Sequence, residues 1–213
     1  MNATTIRSDI RTSSWLMISA CAVTLVAIFG MGAATGAGNY FDENPAVKEQ
    51  AIADYRLEIW ILLLGVGIGL IIFGVALFLL GRALSILCSG WRAKAAGWAK
   101  WFALVVTVVG ASPYFLGPHS RVDEPGLNFD FVAGITTLGG TSLVVIIFGI
   151  LMILGPTPTW TGIVMIVGAV LAVPAFLPLF WFAAGLISGL GLLRWSRRVD
   201  VRPAEQIQPA SPR

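Results

Sequence analysis

The stretch Leu171–Trp181, LAVPAFLPLFW, decides how this chain is folded. It sits inside an apolar run that begins at Trp160 and meets no charged residue before Arg194. Either its two prolines bend one long helix, or they mark a turn between two helices that run back on each other. As one helix, Trp160 to Trp195 would reach ~54 Å at 1.5 Å per residue, far beyond the ~30 Å hydrocarbon core of a bilayer even with tilt. As two, each half has about 18 residues, close to the shortest length that spans. Pro178 then suits the first turn of the second helix, where its missing N–H costs nothing.

The rest of the chain has the same character. Its 213 residues are 57% hydrophobic and 12% charged, about half the charge of a soluble domain. Further apolar runs lie at Trp15–Ala34, Leu57–Leu80, Trp101–Leu116 and Phe131–Leu154. Each is expected to be helical, because in lipid every backbone N–H and C=O must be satisfied within its segment or in a closed barrel. A barrel would show alternating strands, which these continuous runs do not. The expected fold class is therefore an all-α, polytopic membrane protein. It has six transmembrane helices in three hairpins, at about 15–35, 57–80, 101–117, 131–154, 160–176 and 178–195, with five spans as the alternative and a re-entrant pair of half-helices as the third reading. Residues 15–196 form one transmembrane domain between a cytoplasmic segment, 1–14, and a basic, disordered cytoplasmic tail, 197–213. The first run is long enough to span and no small-x-small cleavage site follows it, so it reads as an anchor rather than a signal peptide.

Basic residues collect on the cytoplasmic side of membrane proteins, and here they sort cleanly. Arg7 and Arg11 precede the first run; Arg82, Arg92, Lys94 and Lys100 lie between the second and third; Arg194, Arg197, Arg198, Arg202 and Arg213 close the chain. The intervening loops hold Lys48, Arg56 and Arg121 among Asp42, Glu43, Glu49, Asp54, Glu58, Asp123, Glu124 and Asp130. Both termini are thus expected inside a plasma membrane, which requires an even number of crossings. Tryptophan favours head-group depth, and Trp15, Trp60, Trp91, Trp98, Trp101, Trp160 and Trp195 fall near run ends. Trp181 joins them only if the chain turns at LAVPAFLPLFW.

Local signals are few. Asn44 and Pro45 read as the cap and first residue of a short helix in the first outer loop, leading into the second span. Leu70–Gly81, LIIFGVALFLLG, resembles Val145–Gly155, VIIFGILMILG, a hint of duplication that similar apolar composition also explains. GWRAKAAGWAKW, Gly90–Trp101, puts Trp91, Trp98 and Trp101 on one face among cations, as an interfacial segment would. With Arg194, Arg197 and Arg198 these rings are the expected lipid-interface anchors, facing anionic lipid at the cytoplasmic side. Small-xxx-small pairs at Gly32 and Gly36, Gly65 and Gly69, and Gly185 and Gly189 suit close helix packing, within the chain or against a membrane-protein partner or second copy. Thr136, Thr137, Thr141 and Ser142 concentrate small polar groups in one span. They either line a solute path or bond to their own helix.

Chemistry is otherwise sparse. No ionisable residue falls in the central part of a run, where proton relays and ion-coupled carriers place one. Cys21 and Cys88 are isolated and read as small apolar residues. His119 is the only histidine; beside Asp123 and Glu124 it is the best acid–base candidate, though a solvated loop residue is the simpler reading. Neither cofactor nor metal is expected, and nucleic-acid binding has too few basic residues. The expected function is that of a non-catalytic accessory, assembly or interaction subunit, with a small-solute transporter or channel as the alternative.

Overall fold

The computed structural model describes residues 3–33, 35, 37–42, 44–115, 139–175 and 179–198. Among the described residues there are seven α-helices and no strand: α1 Ala3–Ala27, α2 Pro45–Asp54, α3 Arg56–Leu87, α4 Trp91–Phe115, α5 Thr141–Leu154, α6 Thr159–Ala175 and α7 Leu179–Arg198. Three stretches, Thr4–Gly30, Arg56–Leu87 and Trp91–Phe115, are long and apolar enough to cross a membrane. These are the marks of a membrane protein.

Helix boundaries follow from local chemistry. At α2 the Asn44 side chain accepts from the Ala46 N–H at 3.1 Å with Pro45 at the first helical position, and Asp42 Oδ1 in turn accepts from Asn44 N at 2.8 Å. The expected run of α2 into the next helix is broken at Tyr55 alone, whose φ of −130° and ψ of 34° leave the helical region. Between α3 and α4 the chain reverses at Gly90, φ 62°, a left-handed conformation that a Cβ disfavours. Near the end of α4, Pro113 cannot donate to the carbonyl of Val109; the Ser112 hydroxyl does so instead, at 2.8 Å. Helix α1 starts at Ala3, well before Trp15, and passes into a π-helical turn at Ile28–Ala33.

Packing places the six long helices in a closed cycle: each contacts the next in the chain, and α7 returns onto α1. Close approaches fix their directions. Gly65 faces Ala27, Gly69 faces Thr24, and Ser13 Oγ bonds Ala76 O at 2.7 Å, so α1 and α3 are antiparallel. Gly67 against Tyr114, Gly74 against Thr107 and Gly81 against Lys100 give the same for α3 and α4. Gly140 meets Val106, and Gly149 meets Ile166. Gly168 lies on Phe180 and Ala184 while Ser188 Oγ donates to Thr161 O at 2.9 Å. The chain therefore turns round within LAVPAFLPLFW, and α6 and α7 are two antiparallel helices rather than one bent one. Pro174 lies in α6; Pro178, expected at the start of α7, is outside the described residues.

This alternation brings Asp9, Arg82, Arg92, Lys94, Arg194 and Arg197 to one end of the bundle. Asp42, Glu49, Asp54 and Glu58 lie at the other. Helix α3 is the innermost of the three long apolar stretches, 56% of its apolar window being buried against 39% and 33% for the other two. Around it Phe73, Phe148, Trp181 and Phe182 are fully buried, with Phe73 and Phe182 edge to face at 5.9 Å. At the acidic end Ala37, Ala51, Ile59 and Leu63 form a second small core that seats α2 on α3.

Candidate functional site

Three polar or aromatic features stand out from this apolar bundle. The first is an ion pair at the basic end. Arg82 on α3 grips Asp9 on α1 with two nitrogens, Nε donating to Oδ2 at 2.7 Å and a terminal nitrogen to Oδ1. The Asp9 side chain is 7% exposed and that of Arg82 39%, so the carboxylate is nearly dry and the guanidinium straddles the edge. Burying a carboxylate is costly unless it is paired and hydrogen-bonded, and Arg82 does both. Asp9 lies in the segment 1–14 that precedes the first apolar run, and Arg82 just beyond the second. Helix α1 begins at Ala3, early enough to carry Asp9 against α3.

The second feature is the polar cluster of α5. Ser142 and Trp181 are both buried, and the indole Nε1 donates to the Ser142 hydroxyl at 2.9 Å. Trp181 was expected at head-group depth beside the turn; it does lie close to the turn, but it is 0% exposed and points into the core. A buried indole N–H needs an acceptor, and Ser142 is the acceptor within reach. Thr141 is also fully buried, and its hydroxyl, like that of Thr24, has no hydrogen-bond partner among the described residues. Thr136 and Thr137, the other proposed path residues, lie outside the described residues, as do His119, Asp123 and Glu124.

The third is the outward face of α4. Trp91, Trp98, Trp101 and Phe102 are 64%, 79%, 54% and 42% exposed, and Lys94 is exposed among them. These positions share a helix face by their three- and four-residue spacing. Beside it Lys100 Nζ lies 5.7 Å from the Phe78 ring and 5.9 Å from that of Trp101, close enough for cation–π attraction. An apolar groove of about 560 Å³ runs along this face, bordered by Ala95, Trp98, Ala99, Trp101, Phe102, Val105 and Ile147. Of the other expected anchors, Arg194 and Arg197 are exposed at the end of α7, and Arg198 ends that helix.

The glycines expected at helix contacts face partners within this chain. Gly65 and Gly69 meet α1, Gly185 meets Phe73, and Gly189 meets Ser14 and Met17. Gly32 falls in the π-helical turn and Gly36 outside the described residues. Both cysteines are free, Cys21 buried and Cys88 half-buried. Burial pushes the Cys88 thiol above its usual range, with nearby Arg92 opposing. Among the described residues no three of His, Cys, Asp and Glu gather as around a metal ion. The chain matches no family model, no curated protein and no solved structure.

Proposed function

We propose that this chain is a six-span protein of the plasma membrane with both termini cytoplasmic, serving as a non-catalytic accessory or assembly subunit of a membrane-protein partner. The observation that carries it is the alternation of helix directions: six long helices in an antiparallel cycle put Arg82, Arg92, Lys94, Arg194 and Arg197 at one end and Asp42, Glu49, Asp54 and Glu58 at the other, the separation expected under the positive-inside rule. Trp91, Trp98 and Trp101 with Arg194, Arg197 and Arg198 then anchor the inner face in anionic lipid. The interior supports a scaffold rather than a reaction centre, because its large side chains are apolar and its serines are spent on helix contacts such as Ser13 to Ala76 O and Ser188 to Thr161 O.

The partner is expected at the acidic face, where α2 stands on its own small core, or on exposed helix faces; the glycine ridges at 65, 69, 185 and 189 are already occupied within the chain. Purification from the native membrane through a tag after Arg213, followed by mass analysis of co-eluting proteins, tests this. A stoichiometric membrane protein is the expected result. A lone, homogeneous chain would refute the accessory role.

One observation favours a solute path as a second reading: the buried Thr141 hydroxyl, without a partner among the described residues, next to Ser142. Flux in proteoliposomes that falls on Thr141→Val would support it, and flux equal to that of empty liposomes would remove it.

A further inference from the structure

The groove along α4 has a length, a lining and a charged end that together define an occupant. From Ala95 to Val105 it covers ten residue steps, about 15 Å at 1.5 Å per residue, half of a ~30 Å hydrocarbon core and so the depth of one leaflet. Its lining is apolar throughout that length: small Ala95 and Ala99 leave the space that Trp98, Trp101, Phe102, Val105 and Ile147 border. Its volume, about 560 Å³, lies within the range of ~300–1,000 Å³ typical of ligand sites. At its basic end stands Lys94, exposed and one turn before Trp98 on the same face. Arg92, beside it, is engaged elsewhere, donating to the Leu154 carbonyl that ends α5, and Lys100 lies over the Phe78 and Trp101 rings.

We infer that this groove binds one phospholipid of the inner leaflet, its acyl chain along Ala95–Val105 and its anionic head group on Lys94. The inference rests on the reading of the basic end as lying at a membrane surface. A second copy of the chain fits less well. Membrane helices approach each other through small residues, whereas the exposed rim here is Trp98, Trp101, Phe102 and Val105, and the tight glycine contacts are made inside the monomer. A flexible acyl chain needs no close backbone approach. A cation at head-group depth adds selectivity for an anionic lipid over a zwitterionic one.

Native mass spectrometry of the full-length protein in neutral detergent, with equal amounts of phosphatidylglycerol and phosphatidylcholine of matched chains, tests this. The expected result is one retained lipid, with phosphatidylglycerol favoured about fivefold, the effect of one lysine near an anionic surface. Lys94→Ala brings the two lipids to parity and Lys94→Arg keeps the preference. Ile147→Trp, which fills the groove and leaves Lys94 in place, lowers retention of both; Ala95→Leu does the same from the opposite wall should the first variant not fold. Equal retention of the two lipids by the unaltered protein overturns the inference. So does retention unaffected by a folded groove-filling variant, or a dimer that these variants disperse. Alkaline carbonate extraction of native membranes separates the two failures: release of the protein refutes the spanning reading, whereas a protein that stays in the pellet and does not discriminate lipids refutes only the groove.

Discussion

The Asp9–Arg82 pair is asymmetric in burial, and its variants should be asymmetric too. Removing Arg82 leaves a carboxylate that is almost dry and unpaired, whereas removing the Asp9 charge leaves a guanidinium still partly open to solvent. Hydrogen bonds to charged groups contribute about 1.5–3 kcal/mol, and stranding a buried charge costs more than removing one at the edge. Arg82→Ala is therefore expected to lower the thermal midpoint in detergent well below that of Asp9→Asn, with the double variant close to Asp9→Asn. Equal losses from the two single changes would contradict the burial asymmetry. Ser142 and Trp181 make a parallel case. Ser142→Ala strands a buried indole N–H at about 1–3 kcal/mol, while Trp181→Phe removes the donor and leaves a hydroxyl free to bond its own helix. The expected order of stability, read by unfolding followed with circular dichroism, is Ser142→Ala below Trp181→Phe, once the smaller Phe volume is matched by comparison with Trp181→Leu. Neither pair was legible in the sequence. Hydropathy marks Trp181 as apolar and near a turn but not which way its ring points, and Asp9 and Arg82 are separated by 73 positions.

At the scale of elements more could be read. The apolar runs, the Asn44–Pro45 start of α2 and the break at LAVPAFLPLFW all follow from local rules of backbone satisfaction and proline geometry, so the sequence alone suffices for them. The break at Tyr55 and the early start of α1 depend on tertiary contacts, Ala51 and Ile59 packing at one end and Ile6 and Ile10 burying at the other. The repeated IIFG of α3 and α5 shows what resemblance between apolar segments can mean. Phe73 and Phe148 are both fully buried, and Gly74 and Gly149 both admit the following helix, Thr107 in one case and Ile166 in the other. Two helices facing the same packing task thus carry the same four residues, whether or not they share an origin. A Cβ on Gly74 would overlap the Thr107 hydroxyl, so Gly74→Ala should destabilise by about 1–3 kcal/mol. Thr107→Ala vacates that space, at the loss of its bond to Ala103 O at 2.8 Å. A double-mutant cycle by thermal unfolding is expected to return a favourable coupling of at least about 1 kcal/mol; strict additivity would mean that α3 and α4 do not approach at Gly74.

For the molecule as a whole, charge sorting predicts which helix ends lie together, but not that the first helix packs on the last. That closure, seen where Gly189 meets Ser14 and Met17, depends on side-chain shape across almost the full chain and leaves no local signature. It does bear on topology. If α6 and α7 both cross, Thr159, at the start of α6, and Arg197, near the end of α7, lie on the same side of the membrane; if the region crossed once they would lie on opposite sides. Both residues are exposed, as are Ser89 at the basic end and Glu49 at the acidic end. In a chain whose Cys21 and Cys88 are replaced by Ala, single cysteines at these four positions can be challenged in intact cells with a membrane-impermeant maleimide. Glu49→Cys is expected to react from outside, and Ser89→Cys, Thr159→Cys and Arg197→Cys only after permeabilisation. Reaction of Arg197→Cys in intact cells while Thr159→Cys stays protected would reduce the count to five crossings. It would also place the basic end of α7 on the side of the acidic loops, against the positive-inside rule that sorts the other basic flanks.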